Sequence, residues 1–121
     1  MSRRVLIIDD NHDFRTAARQ LLERHGFVVV AEAETGIGGI AKANEHHPDL
    51  VLLDVQLPDV DGFEVVERLS QLDARVDVIL TSSLDGTDFG ALVTHSSALG
   101  FVPKAELSGS AIEALLFGET S

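Results

Sequence analysis

Leu50-Val51-Leu52-Leu53, followed at once by Asp54, is the stretch from which the fold is read. An unbroken short apolar run with no polar face suits a strand buried on both sides, as in a parallel sheet. The same form recurs along the chain. Val5-Leu6-Ile7-Ile8 runs into Asp9-Asp10, and Val76-Asp77-Val78-Ile79-Leu80 runs into Thr81-Ser82-Ser83. Phe101-Val102 reaches Lys104 through Pro103, and Val28-Val29-Val30-Ala31 is the remaining run.

Helical periods lie between these runs. Phe14, Ala17, Ala18, Leu21 and Leu22 make an apolar stripe, with Asp13 placed to cap it and Gly26 to end it. Ile37, Ile40 and Ala41 mark a second helix, closed by Pro48, and Gly36-Ile37-Gly38-Gly39 reads as its loose start. Val65, Val66, Leu69 and Leu72 mark a third, entered after Gly62. Phe89, Leu92 and Val93 begin a fourth, which Gly86 and Gly90 weaken, so a short or mobile helix is expected. Ile112, Leu115 and Leu116 mark the last, with Ser108 or Ser110 as its cap. A strand-helix unit taken five times predicts an α/β fold, a three-layer (βα)5 doubly wound parallel sheet. In the order 2-1-3-4-5 the first and third strands are neighbours.

Composition narrows the function. The chain has 121 residues, a net charge of −11 and no cysteine, which excludes disulfides, thiolate-bound zinc and a thiol nucleophile. So acidic a body is repelled by phosphate polymers, so no direct nucleic-acid binding is expected. No apolar run approaches the roughly 20 residues that span a bilayer, and the run after Arg3-Arg4 stops at Asp9, too soon for a signal peptide. The expectation is one cytoplasmic domain over residues 1–121 that takes cations or basic partners and makes no membrane contact.

Open parallel sheets bind ligands at the carboxyl ends of their strands. There the sequence puts Asp9 and Asp10, Asp54, Thr81 and Lys104. Three carboxylates in one crevice repel unless a cation joins them. Mg²⁺ suits them, being hard, oxygen-seeking and able to hold a phosphoryl group beside Asp54. Thr81 can donate to one phosphoryl oxygen, and Lys104 can bring a point charge to another.

In these motifs, together with Leu57-Pro58-Asp59-Val60-Asp61-Gly62 and Gly100-Phe101-Val102-Pro103-Lys104, the chain resembles the receiver domain of two-component response regulators, the CheY-like family. The resemblance runs from Val5 to about Phe117 and implies a flavodoxin/CheY-like fold and a phosphorylation switch. Asp54 matches the phospho-acceptor, which takes its phosphoryl group from a histidine kinase's phosphohistidine. Asp9, Asp10, Asp54 and the backbone carbonyl of Gln56 match the Mg²⁺ ligands. Thr81 and Lys104 match the phosphoryl-sensing pair, and Phe101 the aromatic switch. The partners implied are a sensor histidine kinase or phosphotransfer protein and a downstream protein target. The fourth helix, fifth strand and last helix form the responding face, which can also support a homodimer. Such a domain is a phospho-acceptor rather than an enzyme, with intrinsic aspartyl-phosphate hydrolysis as its one enzyme-like property.

Departures are few. Where the family lysine is commonly followed by proline across a cis bond, Lys104 precedes Ala105, and a cis Lys104–Ala105 bond is the expectation carried over. Phe101 lacks a phenolic hydroxyl, and Pro103 suits an edge strand. His12, His25, His46, His47 and His95 read as surface residues rather than ligands. Rival readings are a Mg²⁺-dependent phosphatase with Asp54 as nucleophile, a flavodoxin-like carrier and a receiver that works without phosphorylation. Position 56 is Gln rather than a second acid, which counts against the first. Asp9-Asp10 repels a flavin phosphate, and the complete site set counts against the third. A stand-alone receiver and a domain cut from a longer regulator with a separate output domain both remain open.

Overall fold

The computed structural model describes residues 3–72, 76–83 and 96–117. Five parallel strands run β1 Arg4–Ile8, β2 Val28–Ala33, β3 Leu50–Asp54, β4 Asp77–Ser82 and β5 Gly100–Pro103. They form one sheet in the order β2-β1-β3-β4-β5. This is the expected doubly wound order, and Pro103, which has no N–H to give, stands on an edge strand.

Because side chains alternate across a strand, each apolar run feeds two cores. Leu6, Ile8, Val51, Leu53, Val78 and Leu80 pack on one side of the sheet, against Val65, Val66 and Leu69. Val5, Ile7, Leu50, Leu52 and Ile79 pack on the other, against Ala18, Leu22 and Ile112. The helices concerned are α1 His12–Arg24, α2 Gly36–His46, α3 Gly62–Ser70 and a C-terminal helix Gly109–Phe117. No helix among the described residues is long and apolar enough to cross a membrane.

Several local expectations need correction. Asn11, not Asp13, caps α1; it sits in extended backbone, and its side chain accepts from the Phe14 N–H at 2.9 Å. Ala17 lies on the exposed side of α1. The inner face of α2 is Gly36, Gly39 and Ala43, while Ile37 and Ala41 face outward. There a side chain is the obstacle: a Cβ on Gly39 would come within 2.3 Å of Ile8 Cδ1. Ser108 proves to be the cap of the C-terminal helix, its Oγ accepting from the Ala111 N–H at 3.0 Å. No peptide bond among the described residues is cis, so Lys104–Ala105 is trans. Without proline at 105 the bond lacks the tertiary amide that brings cis near trans in energy. The fourth helix expected around Phe89, Leu92 and Val93, and His95, lie outside the described residues.

Candidate functional site

Register brings the site together. Ile8 pairs with Leu53, so the turn at Asp9 begins level with Asp54. Asp54 pairs with Thr81, and Thr81 with Val102, two residues short of Lys104. The four strand ends thus open on one edge of the sheet, with β1 and β3 adjacent as the crossover demands.

One oxygen from each of Asp9, Asp10 and Asp54 lies within 4.8 Å of the other two. Asp9 and Asp54 are buried and Asp10 is exposed, so the cluster has one open side. Lys104 Nζ sits 2.8 Å from Asp9 Oδ2 and 3.4 Å from Asp54 Oδ2. That ammonium is the sole partner of Asp9 Oδ2 among the described residues. Asp54 Oδ1 accepts from the Gln56 N–H at 2.9 Å, and Asp9 Oδ1 from the Asn11 N–H at 2.8 Å.

These surroundings act on the charges in opposite directions. Burial pushes the Asp54 carboxyl above the usual carboxylate range; the Gln56 N–H and Lys104 oppose the shift, and the Asp9 charge adds to it. Burial also works against the Lys104 ammonium, but its hydrogen bonds and ion pairs with Asp9 and Asp54 outweigh that and raise its pKa. The donor set is all oxygen and mostly carboxylate, which fits a hard divalent cation such as Mg²⁺.

Thr81 is fully buried, and its Oγ1 has no hydrogen-bond partner among the described residues. Buried hydroxyls are nearly always paired, and leaving one unpaired costs about 1–3 kcal/mol. A hydroxyl kept unmet beside an acidic cluster is ready to donate to an incoming oxyanion. Phe101 is half-buried and packs against the core on the α2–α3 side. Gln56 side chain is exposed, with its residue bridged to Asp61.

Spacing along the sequence did not point to four further contacts. Arg15 Nη1 donates to the Asp9 backbone carbonyl at 2.6 Å while its Nε pairs with Glu32 at 3.1 Å. Phe14 places its ring centroid 4.3 Å from Lys104 Nζ. Asp59, in the loop that follows Gln56, accepts from the Gly36 and Ile37 N–H groups at 2.8 and 2.9 Å, tying that loop to the first turn of α2. Gly62 closes the same loop: a Cβ there would lie 2.7 Å from the Asp54 carbonyl oxygen and the Val55 Cα. Of the four, Gly62 carried a sequence signal, as the glycine of Asp61-Gly62. The others depend on residues distant in the chain. Of the histidines within the described residues, His12, His25 and His47 are exposed and His46 is half-buried; none joins a metal-ligand group.

Residues 5–115 match the family described as Response regulator receiver domain. BvgA of Bordetella pertussis is 41% identical over 106 residues, covering 88% of this chain and 51% of that protein. Chemotaxis protein CheY of Bacillus subtilis is 33% identical over 115 residues, covering 95% of this chain and 96% of CheY. This chain therefore spans about half the length of the first relative and nearly all of the second. The solved structure of a two-component response regulator of the LuxR family from Aurantimonas sp. SI85-9A1 superposes with a TM-score of 0.87 at 31% identity, over 98% of this chain and 88% of that one.

Proposed function

This chain belongs to the response regulator receiver domain family, and from that membership we propose a phosphorylation switch with Asp54 as the acceptor. The observation that carries the proposal is the convergence of Asp9, Asp10, Asp54, an unpartnered Thr81 hydroxyl and the Lys104 ammonium on one sheet edge. A carboxylate oxygen of Asp54 attacks the phosphorus of a phosphohistidine. The O–P bond forms as the N–P bond breaks, and the imidazole leaves with the electron pair. Asp9 and Asp10, with Asp54 and the Gln56 carbonyl, would hold Mg²⁺, which when bound screens the phosphoryl oxygens from the carboxylates.

Thr81 then donates to one phosphoryl oxygen, meeting its buried hydroxyl for the first time, and Lys104 pairs with another. Those contacts are better in the active conformation than in the inactive one, so phosphorylation shifts the population toward the active conformation. Thr81 lies at the end of β4 and Phe101 faces the adjoining core, which links the pocket to the face around β5. The phosphoryl donor is a sensor histidine kinase or phosphotransfer protein, and the reader of the altered face is a protein target or a second copy of the chain.

Incubation with phosphoramidate and Mg²⁺, read by intact mass, tests this. The wild-type chain gains one phosphoryl group and Asp54→Asn gains none. Steady turnover of diverse phosphomonoesters would instead support a phosphatase.

A further inference from the structure

Lysine's four-carbon stem is flexible, so the place of its ammonium is decided by what it touches. Among the described residues, Lys104 Nζ touches three groups: Asp9 Oδ2, Asp54 Oδ2 and the face of Phe14. The two carboxylates are the groups that a divalent cation and a phosphoryl group would engage. The ring is the one contact whose charge does not change when they do.

Phe14 is itself well fixed. It lies in the first turn of α1, its N–H held by the Asn11 side chain at 2.9 Å, and its ring packs half-buried against the core cluster on that side of the sheet. The Lys104 side chain is 18% exposed, so the ammonium is partly withdrawn from water, which strengthens its attraction to a ring quadrupole. An aliphatic side chain of similar bulk would fill the space without that negative face.

We propose that Phe14 is a positioning residue for phosphoryl transfer, an aromatic seat that keeps the Lys104 ammonium at the acceptor carboxylate while its carboxylate partners are taken by other ligands. The proposal rests on Asp54 being the phospho-acceptor. It assigns Phe14 no contact with the reacting atoms, only control over where Lys104 stands.

The chain has two lysines, Lys42 and Lys104, so selective ¹³C labelling of lysine gives two resolvable ε-methylene signals. Ring-current shielding places the Lys104 ε-protons upfield of those of Lys42, which is exposed on α2. The shielding is lost in Phe14→Leu and kept in Phe14→Tyr. At saturating Mg²⁺, labelling of Phe14→Leu by acetyl phosphate slows roughly three- to tenfold, the effect expected of one desolvated cation–ring contact. Phe14→Tyr stays within about twofold of wild type, which loss of bulk alone would not arrange. If Phe14→Leu fails to fold, Phe14→Met and the wild-type spectrum carry the test. Two unshielded lysine signals in the wild type, or wild-type labelling rates in a folded aliphatic variant, overturn the proposal. No labelling of the wild type would overturn the acceptor reading, and the lysine signals would then decide the Phe14 contact by themselves.

Discussion

A carboxyl group that is buried beside a second carboxylate ionises reluctantly, and Asp54 meets both conditions. Its raised folded pKa favours the protonated form of the native state. That contribution to stability is complete below the unfolded carboxylate value and is lost as pH rises through the raised folded value. At neutral pH the Asp54 charge therefore costs stability. Asp54→Asn should unfold at a higher temperature than wild type at pH 7 in the absence of divalent cations, with the gap closing in acid; circular dichroism melts at several pH values measure it. The site itself was legible because Asp54, Thr81 and Lys104 each follow an apolar run, and a strand end is a local feature. The contacts that tune the site were not. Phe14 meets Lys104, and Arg15 meets the Asp9 carbonyl, only after β1 and β5 are placed in one sheet with α1 against it.

At the scale of elements, the loop from Gln56 to Asp61 is pinned at both ends. Asp59 fastens it to the start of α2, and the Gly62 N–H returns to the Val55 carbonyl at 2.8 Å. A methyl group at position 62 would press on backbone atoms, which cannot swing aside as a side chain can. Gly62→Ala should cost about 1–3 kcal/mol, read from urea unfolding, and should also slow labelling at Asp54 by displacing Gln56. Strand identities followed from the sequence because runs buried on both faces are continuous. The inner face of α2 did not, because hydrophobic periodicity looks for large side chains. Here Gly36 and Gly39 form the inner face, since Val60 and Ile8 already occupy the space. The cap of α1 was displaced from Asp13 to Asn11 for a related reason: the turn that aims Asp9 and Asp10 ends at Asn11, so the helix begins at once.

Across the whole molecule, a net charge of −11 means that cation binding and stability are linked. Two acids outside the pocket, Glu32 and Asp59, act oppositely to Asp54. Burial resists the Glu32 charge, but Arg19 and Arg15 together outweigh it and hold its pKa below the usual range; the Ile37 and Gly36 N–H groups do the same for Asp59. A depressed folded value gives stability that is present above the unfolded value and lost as pH falls through the folded one. Acid unfolding should therefore be shallower in Asp59→Asn and Glu32→Gln than in wild type, as fluorescence-free probes such as circular dichroism can follow. The same fold that pairs those outer acids leaves Asp9, Asp10 and Asp54 gathered at one edge. Borohydride reduces an aspartyl phosphate to homoserine, so treating the labelled chain and mapping its peptides by mass spectrometry locates the modified residue. Phosphoryl transfer to Asp54 leaves homoserine at position 54 and nowhere else, dependent on Mg²⁺. Homoserine at position 9 or 10, or a phosphorylated chain that borohydride leaves unchanged, would contradict it.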